Sequence, residues 1–233
     1  MLKTKVNRLM VQSIDIFQDV DATQCDAISA LMEVLNFNKS ESIFSRNDNK
    51  RSVFFVAVGE VRVTSFAANG REASYNEKCA GQMFGELAAI DGIPRATDVI
   101  AISNVTLLSM NHLDFNRLLD SYPQVSKRVM NLFVQEIRSL TRRVYEYSAY
   151  DVRRRIHNRI YDIAIDAAGD SDSIMLDNFP RHSDIASRVA TTREAVTREM
   201  SRLISLDLLK KVDNIICIPS LKKFKELLHD IDD

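Results

Sequence analysis

Short stretches rich in β-branched and aromatic side chains, separated by turn-forming residues, fill the first half of the chain. Residues 52–58 and 61–66 lie on either side of Gly59-Glu60, a pattern that predicts a β-hairpin across the glycine. Asn69-Gly70 and Ala80-Gly81 predict two further tight turns. These turn signals predict a succession of short antiparallel strands.

Other elements flank those strands. Residues 21–34 predict a short helix capped by Asp21 or Thr23, and residues 100–110 form another β-branched stretch before His112. Short strands of this number, punctuated by glycine turns, indicate an antiparallel roll or barrel over the first part of the chain.

A single apolar stripe marks residues 123–149 as one long helix, with Pro123 at a permitted early position. The stripe recurs in steps of three to five and comprises Val125, Val129, Leu132, Ile137, Leu140, Val144 and Tyr147. Part of such a stripe can pack against its own domain, and a stripe this long also resembles the seam of a parallel dimer. We therefore predict a homodimer formed through this helix.

The remainder of the chain is helical and rich in arginine. Residues 153–167 predict one helix, and a polar stretch separates it from two shorter helices over 182–189 and 192–204. A tight turn at Ala190-Thr191 between the two predicts a helix-turn-helix, with Ile185, Val189 and Val196 facing inward. Residues 208–218, with Asp213-Asn214 at their centre, predict a β-hairpin wing.

Composition narrows the classes of protein. With 233 residues, 45% of them hydrophobic, the chain can form two packed domains. Its formal net charge of -1 excludes a protein that is basic throughout, so a nucleic-acid surface has to be local. Residues 181–211 contain seven basic and four acidic residues, which gives this segment a local excess of positive charge.

Cysteine and histidine usage argues against metal chemistry. Cys25, Cys79 and Cys217 are far apart, which predicts reduced thiols in a cytoplasmic protein and no ligand set for zinc or an iron–sulfur cluster. The histidines lack metal-ligand spacing and are predicted at the surface or at helix ends; they are His112, His157, His182 and His229. No apolar run reaches membrane-spanning length, so we expect no membrane contact.

Residues 84–96 combine groups that suit a nucleotide. Gly85 lets a backbone N–H approach an anion, Glu86 can accept from a ribose hydroxyl, and Arg95, behind Pro94, can pair with a phosphate. In the second helix of the helix-turn-helix, Arg193 and Arg198 can read guanine and Glu194 can accept from the amino group of cytosine. Taken alone, Glu194 and Arg198 could form only a surface pair worth about 0.2–0.5 kcal/mol.

The segment 84–96 resembles the phosphate-binding cassette of cyclic-nucleotide-binding domains. With the long helix and the winged helix-turn-helix, which carries Arg193-Glu194-x-x-x-Arg198, almost the whole chain resembles the CRP/FNR superfamily of bacterial transcription regulators, closest to its cyclic AMP receptor protein branch. The resemblance implies an α+β fold. Its N-terminal antiparallel β-roll and dimerisation helix, about 123–149, would occupy residues 1–149, and the winged helix-turn-helix residues 150–233.

The resemblance also implies a site for each function. The residues expected to bind the cyclic nucleotide are Gly85, Glu86, Leu87, Arg95, Ala96, Thr97, Leu140 and Thr141. The residues expected to bind DNA are Thr191, Thr192, Arg193, Glu194, Thr197 and Arg198. The implied target is a TGTGA-type palindrome read by a homodimer that also contacts RNA polymerase. Neither a catalytic residue nor a metal, haem or iron–sulfur cofactor is implied.

Departures from the family pattern bear on the ligand. The cassette arginine is followed by Ala96, which favours cyclic AMP, whereas Thr97 keeps cyclic GMP open. The Thr-Ser pair that the family uses at adenine is matched here by Leu140 and Thr141, so one hydroxyl is lost. A constitutive DNA-binding regulator, whose roll is only structural, is the alternative. An enzyme is not indicated, because the cassette has no positioned nucleophile.

Overall fold

The computed structural model of the protein describes residues 5–66, 72–169, 171–177, 179–213 and 215–229. The chain divides into two compact units, Met1–Ile137 and Arg138–Asp233. The division falls inside the long helix, whereas the domain boundary that we expect from the resemblance lies at 149/150. Within the described residues, no helix has both the length and the low charge that a membrane span requires.

The N-terminal unit contains two four-stranded antiparallel sheets. Its strands are β1 (Met32–Phe37), β2 (Ser42–Phe44), β3 (Val53–Val58), β4 (Glu60–Phe66), β5 (Glu72–Cys79), β6 (Met83–Phe84), β7 (Asp98–Ala101) and β8 (Val105–Met110). One sheet has the order β1-β8-β3-β6 and the other the order β2-β7-β4-β5. The predicted antiparallel roll is therefore present, and residues 100–110 supply parts of two strands in different sheets.

The predicted hairpin across Gly59 is wrong. β3 pairs with β8 and β6, whereas β4 pairs with β5 and β7, so Gly59 carries the chain from one sheet to the other. Gly59 has a φ of 87°, and a Cβ at this position would lie 2.3 Å from the carbonyl oxygen of Asn104. Glycine is needed here because it alone adopts this conformation with so close an approach. The predicted turn Asn69-Gly70 lies outside the described residues.

Helices close the N-terminal unit on one side. They are α1 (Arg8–Gln12), a 3-10 turn (Asp15–Phe17), α2 (Ala22–Ser29), α3 (Glu86–Asp91) and α4 (His112–Ser121). Of the two predicted caps, Asp21 and Thr23, it is Asp21 that caps α2, and it forms a capping box with Gln24. The helix ends at Ser29, earlier than predicted, and Val34 belongs to β1. Pairing of β1 with β8 fixes this ending, because it takes residues 32–37 into the sheet.

The long helix α5 (Pro123–Ala149) has the predicted bounds. Its apolar stripe divides in two. Val125 and Val129 are buried in the core of the N-terminal unit, and Leu132 packs against that core. Further along the same stripe, Ile137 and Val144 are 61% and 64% exposed. Part of the stripe therefore packs against its own domain, as the sequence allows, and a dimer formed through the exposed part stays a prediction.

The C-terminal unit is a winged helix-turn-helix. Its elements are α6 (Val152–Ala168), β9 (Ile174–Leu176), α7 (His182–Arg188), α8 (Arg193–Ser205), β10 (Lys210–Val212), β11 (Ile215–Ile218) and α9 (Leu221–His229). β11 pairs with both β10 and β9, so the wing has three strands rather than the predicted two. β9 was missed because three residues in a polar stretch carry no readable period. Ile185, Val189 and Val196 are buried as predicted.

His157 contradicts the prediction that the histidines lie at the surface or at helix ends. It is fully buried in the middle of α6, and its Nε2 lies 2.6 Å from Oε1 of Glu199 on α8. Arg202 donates to the same carboxylate oxygen at 2.9 Å, and Arg153 lies 3.5 Å from the other oxygen. This cluster joins α6 to α8. Burial lowers the pKa of the His157 imidazole, although the Glu199 carboxylate opposes that shift.

The lowered pKa of His157 makes stability depend on pH. The unfolded imidazole takes a proton near its ordinary pKa of 6.5 while the folded one is still neutral, so its contribution to stability is lost as pH falls below that value. We expect the free energy of unfolding of His157→Gln, which can still donate to Glu199, to fall less than that of the wild type between about pH 7 and pH 5. Urea unfolding of both proteins measures this, and equal losses would contradict it.

Candidate cyclic-nucleotide and DNA sites

Gly85 opens the cassette with a left-handed turn. It follows β6 directly, has a φ of 82°, and caps the short helix α3, whose first residue is Glu86. A Cβ on Gly85 would lie 2.8 Å from Nη1 of Arg95 and 3.2 Å from the carbonyl oxygen of Ser52. The absence of a side chain at this residue therefore makes room for the guanidinium, which lies directly against the turn.

Arg95 is buried, with only 3% of its surface exposed. Nη1 donates to the carbonyl of Gly85 and Nη2 to that of Ser52, both at 2.6 Å. The guanidinium also lies 4.1 Å from the ring centroid of Phe44 and 5.7 Å from that of Phe54. Within the described residues, its buried Nε has no hydrogen-bonding partner. Burying a charged donor without a partner is costly, so this atom marks a place for an acceptor.

Backbone hydrogen bonds fix the position of Arg95. Its N–H donates to the carbonyl of Asp48 at 3.0 Å, and the N–H of Asn47 donates to the carbonyl of Arg95 at 2.9 Å. Asn47 has a φ of 68°, a conformation that asparagine tolerates better than most residues. The pair Asn47-Asp48 thus holds the backbone of the cassette arginine.

Glu86 contributes the second charge of the pocket. Burial raises the pKa of its carboxyl, against its own backbone N–H and the cations Lys78 and Arg95, which lower it. Burial likewise lowers the pKa of the Arg95 guanidinium, against Asp48 and Glu86. A carboxylate and a guanidinium that interact in a partly dry pocket can bind a hydroxyl and an oxyanion of the same ligand.

The remaining predicted ligand residues have more varied positions. Leu87 is 53% exposed on α3, Ala96 is exposed and Thr97 is half-buried. Leu140 and Thr141 lie on α5 in the other compact unit, so their part in this pocket stays a prediction. Sequence reasoning missed Ser52 and the aromatic rings beneath Arg95. Nothing local identifies Ser52, because its carbonyl becomes a partner only through the pairing of β3.

The helix-turn-helix forms around a strained tight turn. Ala190 has a φ of 55°, and the N–H of Thr191 donates to the carbonyl of Ala186 at 2.9 Å. Thr192 caps α8, since its hydroxyl accepts from the N–H of Ala195 at 3.2 Å. The turn places the first residues of α8 at the surface of the unit.

Three predicted DNA-reading side chains are exposed together on α8. They are Arg193, Glu194 and Arg198. The backbone N–H at Glu194, the Thr192 hydroxyl and the two arginines lower the pKa of the Glu194 carboxyl, so it is ionised at neutral pH and can accept a hydrogen bond from a base.

Thr197 links the two helices of the helix-turn-helix. Its hydroxyl donates to the carbonyl of Arg193 at 2.9 Å and lies 2.8 Å from Nδ1 of His182 on α7. This contact ties the first helix of the motif to the recognition helix. Sequence reasoning assigned Thr197 to DNA and missed its bond with His182.

Two family models match the two units. Residues 34–122 match the cyclic nucleotide-binding domain, and residues 154–227 match the Crp-like helix-turn-helix domain. Within the described residues, no group of three or more histidine, cysteine, aspartate or glutamate side chains could hold a metal ion. A cyclic nucleotide-binding domain followed by a Crp-like helix-turn-helix domain defines a ligand-responsive DNA-binding regulator.

Known proteins resemble the chain over most of its length. The CRP-like cAMP-activated global transcriptional regulator of Mycobacterium tuberculosis is 20% identical over 187 residues, 80% of this chain and 84% of the relative. The Cyclic AMP receptor protein of Thermus thermophilus is 22% identical over 188 residues, 81% and 84% of the two chains. A mutant of CooA from Carboxydothermus hydrogenoformans shares the fold, with a TM-score of 0.79 at 19% identity over 97% of each chain. The chain belongs to the CRP/FNR family of transcription regulators, which are not enzymes.

Gly85→Ala, compared with a control glycine, tests whether Gly85 is needed to make room for the Arg95 guanidinium as well as to form a left-handed turn. A methyl group would push against Nη1 of Arg95, and the left-handed backbone would cost about 1–2 kcal/mol for any L-residue. We expect lower stability and weaker cyclic-nucleotide binding. Gly92→Ala is the matched control, because its φ of 76° imposes similar strain while its Cβ would lie 3.4 Å from Arg51 instead. Equal nucleotide affinity in the two variants would contradict the assignment.

Proposed function

We propose that the protein is a homodimeric, cyclic-nucleotide-gated regulator that binds a TGTGA-type palindrome. The observation that carries the proposal is Arg95, which is buried beside Glu86 with Nε lacking a partner within the described residues. The cyclic phosphate would accept from Arg95, and the ribose hydroxyl would donate to Glu86. The backbone N–H groups near Gly85, Glu86 and Ala96 would complete the anion site.

Cyclic AMP is the ligand that we propose, with cyclic GMP as the competing one. Ala96 follows the cassette arginine, and it lacks the hydroxyl that would favour cyclic GMP at this residue, whereas Thr97 has one. The two relatives named for cyclic AMP support the same choice. Leu140 and Thr141 would contact the base from α5, with Thr141 as the one remaining hydroxyl.

The proposed DNA contacts lie at the start of α8. Arg193 and Arg198 would pair with guanines or with a flanking phosphate, and Glu194 would accept from a cytosine opposite guanine. Thr191, Thr192 and Thr197 would contact the phosphates beside them. A dimer would present two such helices to major grooves about 34 Å apart, which requires a palindromic site. RNA polymerase is the proposed downstream partner.

The exposed part of α5 supports a dimer. Six positions follow alternating steps of four and three residues, the spacing of a coiled-coil seam: Met130, Val134, Ile137, Thr141, Val144 and Ser148. Four of the six are apolar, and each of those four is about half exposed or more. Packed against the same six positions of a second copy, the four apolar side chains would be removed from water, which stabilises the dimer.

The proposed gate joins these parts. Nucleotide bound by Glu86 and Arg95 would also engage Leu140-Thr141 on α5 and favour one arrangement of that helix. A hinge near Tyr150-Asp151 would then set the spacing of the recognition helices. The ligand can shift this balance only by its difference in affinity for the two arrangements.

The deciding experiment titrates a labelled TGTGA-type palindrome and a scrambled duplex with the purified protein at fixed salt, with cyclic AMP, with cyclic GMP and without nucleotide. We expect one nucleotide to tighten binding to the palindrome alone. Arg95→Gln should lose about 2–5 kcal/mol of nucleotide binding and, with it, the gating. The control is Arg117→Gln, whose side chain is 78% exposed on α4. Equal binding in all three conditions would instead indicate a constitutive regulator.

Val134→Glu tests the dimer. A carboxylate at this seam position would face its copy across the interface, so we expect at least about ten-fold weaker dimerisation. Gln135→Glu adds the same charge on the same helix, one residue away from the seam, and should leave the dimer intact. Sedimentation velocity over a concentration series measures both, and a dimer that is equally stable in both variants would place the interface elsewhere.

A further inference from the structure

A second polar cleft lies within the C-terminal unit, at the end of α5. Its internal volume is about 50 Å³, and it opens to solvent. The helices α5 and α6 and the end of α7 supply its lining. Ten residues line it: Ser139, Arg142, Arg143, Glu146, Tyr147, Arg155, Arg159, Asp162, Arg188 and Val189.

Hydrogen bonds hold one wall of the cleft in place. The Tyr147 hydroxyl donates to the carbonyl of Arg188 at 3.0 Å and accepts from Nη2 of Arg143 at 3.2 Å. Arg155 donates to the carbonyls of Val189 and Tyr150 at 3.1 and 2.9 Å, and its guanidinium lies 5.4 Å from the ring centroid of Tyr147. The positions of these guanidinium groups are thus set before any ligand arrives.

Two further arginines, Arg142 and Arg159, line the cleft. Within the described part of the chain, the guanidinium groups of Arg142 and Arg159 make no hydrogen bond, although both act electrostatically on Asp162. Burial raises the pKa of the Asp162 and Glu146 carboxyls, which indicates a partly desolvated cleft. Charges in such surroundings interact more strongly than in water.

The charges of the lining do not balance. Five arginines face two carboxylates, so the walls carry an excess of three positive charges when both carboxylates are ionised. Guanidinium groups are always protonated and pair with oxyanions through two parallel hydrogen bonds. A phosphate group offers several acceptor oxygens and up to two negative charges, which suits several converging arginines better than one carboxylate does.

We propose that this cleft binds a small phosphorylated anion, with Arg142 and Arg159 as its principal contacts. The cleft is separate from the cassette of Arg95, and this inference does not rest on the proposed function. Its lining residues come from both sides of Tyr150-Asp151. A bound anion would therefore hold the end of α5 against α6, at the place where the proposed hinge lies.

Isothermal titration calorimetry of the full chain with inorganic pyrophosphate tests this proposal, at matched ionic strength and about pH 8, where carboxyls are ionised. We expect saturable binding that is at least about ten-fold weaker in the double variant Arg142→Gln/Arg159→Gln. Arg138→Gln is the matched control, since it removes one charge from an exposed residue of the same helix outside the cleft.

Two more variants guard against misinterpretation. Glu146→Gln removes a negative charge from the lining and should tighten binding, a gain that a misfolded protein cannot give. Arg117→Gln removes an exposed arginine of α4, outside both sites, and should bind pyrophosphate as the wild type does. Loss of binding in Arg117→Gln would overturn the proposal, as would weakening in Arg138→Gln equal to that in the double variant.

Duplex DNA distinguishes a free phosphate from a phosphate of the nucleic-acid backbone. The double variant is titrated with the TGTGA-type palindrome alongside the wild type. If the double variant loses pyrophosphate binding but keeps its affinity for the duplex within about two-fold of the wild type, the cleft is a small-molecule site. A wild type that does not bind pyrophosphate, with a double variant that loses duplex affinity, would overturn it and assign both arginines to the DNA backbone.

Discussion

The buried charge of Arg95 is the constraint on which the N-terminal unit depends. A guanidinium taken out of water needs acceptors, and here the carbonyls of Gly85 and Ser52 and the rings of Phe44 and Phe54 surround it. Those partners come from β2, β3 and the turn after β6, which belong to two different sheets. The roll must therefore close correctly before the pocket exists. Even then, within the described residues, Nε of Arg95 has no hydrogen-bonding partner.

The recognition helix is held by a comparable polar cluster. Glu199, on the face of α8 opposite the exposed arginines, accepts from Arg202 and lies beside His157 on α6. Thr197 adds a bond to His182 on α7. Together with the buried Val196, these contacts fix the rotation of α8, so that Arg193, Glu194 and Arg198 share the exposed surface. Buried polar clusters of this kind specify one orientation more narrowly than apolar packing does.

Helix α5 shows how one apolar stripe can serve two purposes. Val125 and Val129 are part of the core, while Val134 and Val144 stay exposed on the same helix. Both parts belong to one helix, Pro123–Ala149. At its far end, Tyr147 contacts the arginines of the polar cleft. Core, proposed dimer seam and cleft thus follow one another along a single element.

Local patterns in the sequence determined much of this protein. The period of α5, the turn between α7 and α8 and the spacing of Gly85, Glu86 and Arg95 were all readable, because each depends on neighbouring residues. Only the tertiary structure decided that Gly59 joins two sheets, that Ser52 faces Arg95 and that His157 is buried against Glu199. Those contacts join residues up to 43 positions apart, and such pairings depend on the closure of the whole fold, which no local period records.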